Sequence, residues 1–166
     1  WNDGALAINY IGHGSSVQMA DEQVFLGTDV ANLRNGLRLP VFLAFSCTIG
    51  DFGRAQAASL AEKLLLWPSG GAVAAVTASE VSYIGPNTTL NSLVFQEITP
   101  RVQGVPRPVG EALLRAKTAL ITALGPGSYQ LAEENNQKYN LLGDPSMPVV
   151  SPRRQVSFVA EDVDTL

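Results

Sequence analysis

The chain has only one cysteine and one histidine in 166 residues. A single thiol rules out an intrachain disulfide and a cysteine-rich zinc site. It leaves the compartment open, because exported proteins need no disulfide. Charge is also sparse: 16% of residues are charged, with 11 Lys+Arg against 15 Asp+Glu. The resulting net charge of −4 gives no basic footprint for nucleic acid. No apolar run approaches the roughly 20 residues needed to span a bilayer. No signal segment is visible either, and the chain opens on Trp1, which suggests a processed or excised piece. Gly12-His13-Gly14 and Gly70-Gly71 lack the spacing of a nucleotide loop, and no Gly-Lys-Ser/Thr occurs. There is no Gly-x-Ser-x-Gly elbow to present a nucleophilic serine.

What remains is the composition of an ordinary globular domain, 46% hydrophobic with 15 glycines and 10 prolines. The length suits one domain with a substantial core. Residues 5–12 and 40–46 are apolar runs that suit strands buried on both faces. Residues 71–78 form a third run of small residues, which implies a helix packed closely on the sheet. Between the first two, a short helix is expected near Asp29–Asn35, ended by Gly36. Leu60/Leu64 and Ala61/Leu65 predict a helix over Ala55–Trp67. Leu90, Leu93, Val94 and Ile98 predict another after Pro86, with Asn87 as its cap. A further helix is expected over Pro108–Leu124, then a polar loop at Glu133–Lys138 and a short strand and turn from Tyr139 to Pro145. Strands alternating with helices imply an α/β fold with a mostly parallel sheet and right-handed crossovers.

The lone histidine and the lone cysteine each stand where an apolar run gives way to glycine. His13 closes the first run and Cys47 the second. On neighbouring parallel strands, both would emerge at carboxyl ends, where open α/β sheets place their sites. A thiol beside an imidazole supplies a nucleophile and its base. Cys47 would attack a carbonyl carbon and His13 would protonate the leaving amine. Gly14, without a Cβ, suits an oxyanion donor, and the Cys47 N–H is the second candidate. The plainer readings are a packed strand-end cysteine and a histidine satisfying a loop hydrogen bond. Zinc held by His13, Cys47 and the carboxylates of Asp21, Glu22 and Asp51 is a weaker alternative, because the short ligand spacings are missing. No cofactor is expected.

Tyr10-Ile11-Gly12-His13-Gly14-Ser15, then Phe45-Ser46-Cys47, resemble the gingipain-type cysteine peptidases. The likeness continues through Ser59-Leu60-Ala61-Glu62, Gly70-Gly71-Ala72-Val73, Gly110-Glu111-Ala112 with Ala116-Lys117, and Asn140 to Pro148. It covers residues 5–150 in order. The resemblance implies a caspase-like three-layer α/β/α sandwich over residues 1–150 that lacks its first strands. Residues 151–166 would be a tail or the start of a following β domain. It implies a cysteine endopeptidase, or a transpeptidating relative, with His13 and Cys47 catalytic and Gly14 and Cys47 forming the oxyanion hole. Ser79, Glu80 and Tyr83, after the third strand, would line the pocket for the residue before the scissile bond; Glu80 would either select a basic side chain or, the plainer reading, be a solvated loop acid. Asp144 is expected to cap a turn. Protein or peptide substrates, an extracellular or cell-surface location, and a companion segment or self-association at the unpaired strand edge also follow from the resemblance. A non-catalytic peptide-binding scaffold and a caspase-fold signalling protease are the alternatives.

Overall fold

The computed structural model describes residues 1–149. In chain order the elements are β1 (Ala7–Ile11), β2 (Gln18–Met19), β3 (Phe25–Leu26), β4 (Val41–Phe45), α1 (Leu60–Leu66), β5 (Ala74–Ala78), α2 (Ile84–Ile98), β6 (Arg101–Val102), β7 (Val105–Pro106), α3 (Val109–Ala123), α4 (Tyr129–Lys138) and β8 (Tyr139–Leu142). Four strands form the main sheet in the order β1-β4-β5-β8. β1, β4 and β5 are parallel, and β8 returns antiparallel beside β5. β4 and β5 are buried along their whole length, which accounts for their unbroken apolar runs.

Side chains alternate between the two faces of the sheet. On one face, Val41, Leu43, Phe45, Val76 and Ala78 pack with Leu90, Val94, Val109, Ala116 and Leu120 of α2 and α3. On the other, Phe42, Ala44 and Ala75 meet Leu60, Ala61 and Leu64 of α1, together with Ile49, Val30 and Leu33. The result is the expected α/β/α layering. Both cores are anchored on the same two central strands.

Several local expectations need correction. The stretch Asp29–Asn32 is a single 3-10 turn, and the β2–β3 hairpin occupies much of the crossover before it. α1 is shorter than its apolar stripe implies. Ser59 starts it with a capping box, its hydroxyl accepting from Glu62 N–H while the Glu62 carboxylate accepts from Ser59 N–H at 2.8 Å. α2 begins at Ile84, so Pro86 lies in its first turn, where a missing N–H costs nothing. Asn87 is therefore inside the helix and not its cap. Residues 133–138, expected as a polar loop, are the second half of α4. The expected tail, residues 151–166, lies outside the described residues.

Candidate active site

Parallel pairing of β1 with β4 matches Ile11 to Phe45 at the end of the ladder. His13 and Cys47 each lie two residues beyond those partners. They therefore follow the carboxyl ends of adjacent strands. Neighbouring strands are about 4.8 Å apart, so the two turns are side by side.

Other contacts bind these turns together. A Cβ on Gly14 would overlap Ser46 Oγ and come within 2.9 Å of Ile49, so glycine is needed for this close approach. The carbonyl of Ser16 accepts from Leu60 N–H at 2.8 Å, and that of Ile49 accepts from Ala61 N–H at 3.1 Å. The loop after His13 and the loop after Cys47 are thus tied to the same helix start. His13 is exposed, but its carbonyl is held by Tyr10 Oη–H at 2.5 Å and Ala20 N–H at 2.8 Å.

Cys47 is half-buried. Its sulfur faces Ser82, with Ser82 N–H donating to Sγ at 3.4 Å and Ser82 Oγ at 3.9 Å from it. The Ser82 carbonyl is at 3.6 Å and accepts from the thiol. Thr48, immediately after it, adopts φ +49°, an uncommon conformation for a non-glycine residue. Two bonds hold that turn, from Thr48 N–H to Glu80 O at 3.1 Å and from Gly50 N–H to Ala78 O at 3.0 Å. The Cys47 turn is thereby tied to the segment that follows β5.

That segment carries the three residues expected to bind substrate. Ser79 and Glu80 line a recess of about 390 Å³ with Glu134, Gln137 and Lys138. Ser79 is fixed by bonds from its N–H and hydroxyl to Lys138 O, at 2.8 and 3.1 Å. Glu80 is exposed. Tyr83 flanks the recess: its hydroxyl donates to Glu134 at 3.3 Å, and Lys138 Nζ lies 4.2 Å from its ring centre. A more apolar recess of about 450 Å³, lined by Val30, Lys63, Leu66 and Trp67 among others, contains none of the candidate residues.

Sequence reasoning missed the ground behind the sulfur. Asn87 and Asn135 are buried there and bonded to each other, with Asn87 also bonded to Ser82. Tyr139 is fully buried, stacks on Phe45, and its hydroxyl completes no hydrogen bond. Burial pushes its phenol well above the ordinary range, and the neighbouring Cys47 adds to that rise against a partial pull from Ser82. Asp144 caps its turn as expected, accepting from Ser146 N–H at 2.8 Å and held below the usual carboxylate range by that residue. No group of three or more histidine, cysteine or acidic side chains is placed to hold a metal among the described residues.

The model of peptidase family C25 matches residues 1–150. Among solved structures, the chain is similar to the Arg-specific cysteine proteinase gingipain R (RgpB), with 23% identity and a TM-score of 0.75, covering 87% of this chain and 33% of that one. It is likewise similar to a complex of Porphyromonas gingivalis RgpB pro- and mature domains, at 22% identity and a TM-score of 0.74, over 87% of this chain and 34% of that one. A third structure, described only as a protease, matches at 21% identity and a TM-score of 0.67, over 89% of this chain and 36% of that chain. The chain therefore spans about a third of the length of these solved relatives, and the likeness shows the caspase-like fold. No curated protein sequence matches it.

Proposed function

The chain belongs to peptidase family C25, and from that membership we propose that it carries the nucleophile and the proton-transfer group of a cysteine endopeptidase. Cys47 Sγ attacks the scissile carbonyl carbon as its proton passes to His13. The imidazolium then protonates the leaving amine, and water releases the acyl group from the sulfur. The N–H groups of Gly14 and Cys47 hold the negative charge that develops on the carbonyl oxygen. The observation that carries this reading is the strand register, which sets His13 and Cys47 at equal distances past the paired ends of β1 and β4.

Ser79, Glu80 and Tyr83 form the wall for the residue preceding the scissile bond. Two carboxylates of this recess, Glu80 and Glu134, outnumber its one ammonium, Lys138, which favours a basic side chain. The arginine specificity named for the gingipain R relative agrees with that charge balance. The proposed peptidase domain takes residues 1–150, the span that the family match supports. β1 is an outer strand of the sheet among the described residues, and a companion segment on that edge suits an unpaired strand. An extracellular or cell-surface location is part of the same proposal.

The test is hydrolysis of fluorogenic peptides with Arg, Lys, Leu or Asp before the scissile bond, using the intact protein. Cys47→Ala and His13→Ala are expected to lower kcat/KM by about a thousandfold or more. Undiminished turnover by Cys47→Ala would overturn the peptidase reading. Equal turnover of all four peptides would overturn only the basic pocket.

A further inference from the structure

Behind Cys47 lies a line of buried amides and a hydroxyl whose donors and acceptors can be assigned from one fixed end. Tyr83 N–H is a backbone donor and bonds Asn135 at 3.0 Å. The atom of Asn135 that accepts must be Oδ1, which leaves Asn135 Nδ2 facing Asn87. That amide donates to Asn87 Oδ1 at 3.2 Å. Asn87 Nδ2 in turn donates to Ser82 Oγ at 2.8 Å. The Ser82 oxygen is thus occupied as an acceptor and its proton is free to go elsewhere. Cys47 Sγ lies 3.9 Å away, and the Ser82 N–H points at the same sulfur from 3.4 Å.

We propose that Asn135, Asn87 and Ser82 form a one-directional hydrogen-bond chain that ends on the Cys47 sulfur and favours its thiolate, with Asn87 and Asn135 as positioning residues. The proposal rests on the peptidase reading for its purpose, but not for its geometry. Every donor along the line points toward the sulfur, so negative charge there is met by the Ser82 hydroxyl and N–H together. When the sulfur holds its proton, it donates to the Ser82 carbonyl at 3.6 Å instead. Asn135, Asn87 and Ser82 are 0%, 3% and 8% exposed. Water therefore does not compete for these bonds, and a buried chain of this kind strengthens cooperatively. The Tyr139 hydroxyl completes no hydrogen bond of ordinary geometry, although Ser82 lies near enough to act on its phenol. The chain also links α4, whose Glu134 and Lys138 line the substrate recess, to the reacting atom.

The experiment is the rate of Cys47 alkylation by iodoacetamide as a function of pH, in the intact protein, for the parent, Ser82→Ala, Ser82→Thr and Asn87→Asp. The titratable groups already on the surrounding elements, His13, Asp51, Glu80, Tyr83 and Tyr139, are kept in all four, and Asn87→Asp adds one carboxylate whose charge also opposes the thiolate. Ser82→Ala is expected to slow alkylation about three- to tenfold below the midpoint of the profile, with little change above it. Ser82→Thr keeps a hydroxyl and restores the parent profile. Asn87→Asp has no donor, so its carboxylate accepts the Ser82 proton and turns it from the sulfur, with a loss at least as large as that of Ser82→Ala. Parent-like profiles for Ser82→Ala and Asn87→Asp, with both folded by circular dichroism, would overturn the proposal. Equal slowing at every pH in all three variants would also overturn it, by assigning the residues a packing role. Alkylation needs no turnover, so a failed chain and a failed peptidase reading are separately visible.

Discussion

The two halves of the candidate dyad are held in opposite ways. His13 leaves an outer strand, is exposed, and is restrained through its backbone by Tyr10 and Ala20. Cys47 leaves a central strand, and its side chain is restrained by Ser82, with Asn87, Asn135 and Tyr139 behind it. In the proposed peptidase reading, the nucleophile stands against a buried polar network and the proton carrier is an exposed residue after an outer strand. Thiol reactivity is then sensitive to the buried network, whereas His13 depends on loop geometry.

The register partners Phe45 and Ile11 give the largest test of this contrast. Phe45 is 0% exposed and Ile11 is 43% exposed. Phe45→Ala is expected to cost about 3–5 kcal/mol in urea unfolding, and Ile11→Ala about 1 kcal/mol or less. Similar losses at both positions would mean that the β1 edge is covered in solution.

Next in size is the seam between the two turns. Gly14→Ala forces a methyl group into Ser46 and Ile49 and is expected to cost about 1–3 kcal/mol. Gly85→Ala, at a position with open space around its Cβ, serves as the control and should not destabilise. Thermal unfolding of the pair checks the close approach directly.

Smaller effects separate the buried half by its pH response. The Tyr139 phenol stays protonated in the fold, because burial raises it well above the ordinary value of 10.0. The unfolded chain releases that proton near pH 10, so stability falls as pH rises above 10, by up to about 1.4 kcal/mol per unit. Tyr139→Phe should remove that loss and cost little at pH 7, since the hydroxyl has no hydrogen bond of ordinary geometry to lose. Urea midpoints at pH 7 and 10.5 decide it, and a large loss at pH 7 would show that the hydroxyl is bonded.

The smallest expected effect belongs to Lys117, which donates to Tyr139 O at 2.9 Å and whose amine burial holds below its ordinary value of 10.5. Between the lowered value and 10.5 the unfolded chain holds more proton, so this residue makes stability rise with pH, opposite in sign to Tyr139. Lys117→Met should flatten that rise when thermal midpoints are compared from pH 8 to 10.5.

The strands that carry the candidate residues were legible in the sequence because they depend on local pattern. Apolar runs marked β1, β4 and β5, and the only histidine and cysteine stood at the ends of two of them. α4 was not legible. Its inward face is Ala132, Asn135 and Asn136, so the apolar stripe that announces a buried helix is missing. Asn87 was misread for a related reason. A polar residue near a helix start suggests a cap, yet here its partners are Ser82 and Asn135.

The sequence by itself therefore determined the strands and the placement of His13 and Cys47 after two of them, but β1, read as buried on both faces, is a partly exposed outer strand. Strand periodicity and the chemistry of two unique side chains are written within a few residues. Only the tertiary structure decided what stands behind the sulfur. Cys47 follows β4, Ser82 follows β5, Asn87 lies in α2, and Asn135 comes from a helix, 48 residues beyond Asn87. Hydrogen-bond direction depends on where each donor and acceptor lies in space, and no spacing along the chain records it.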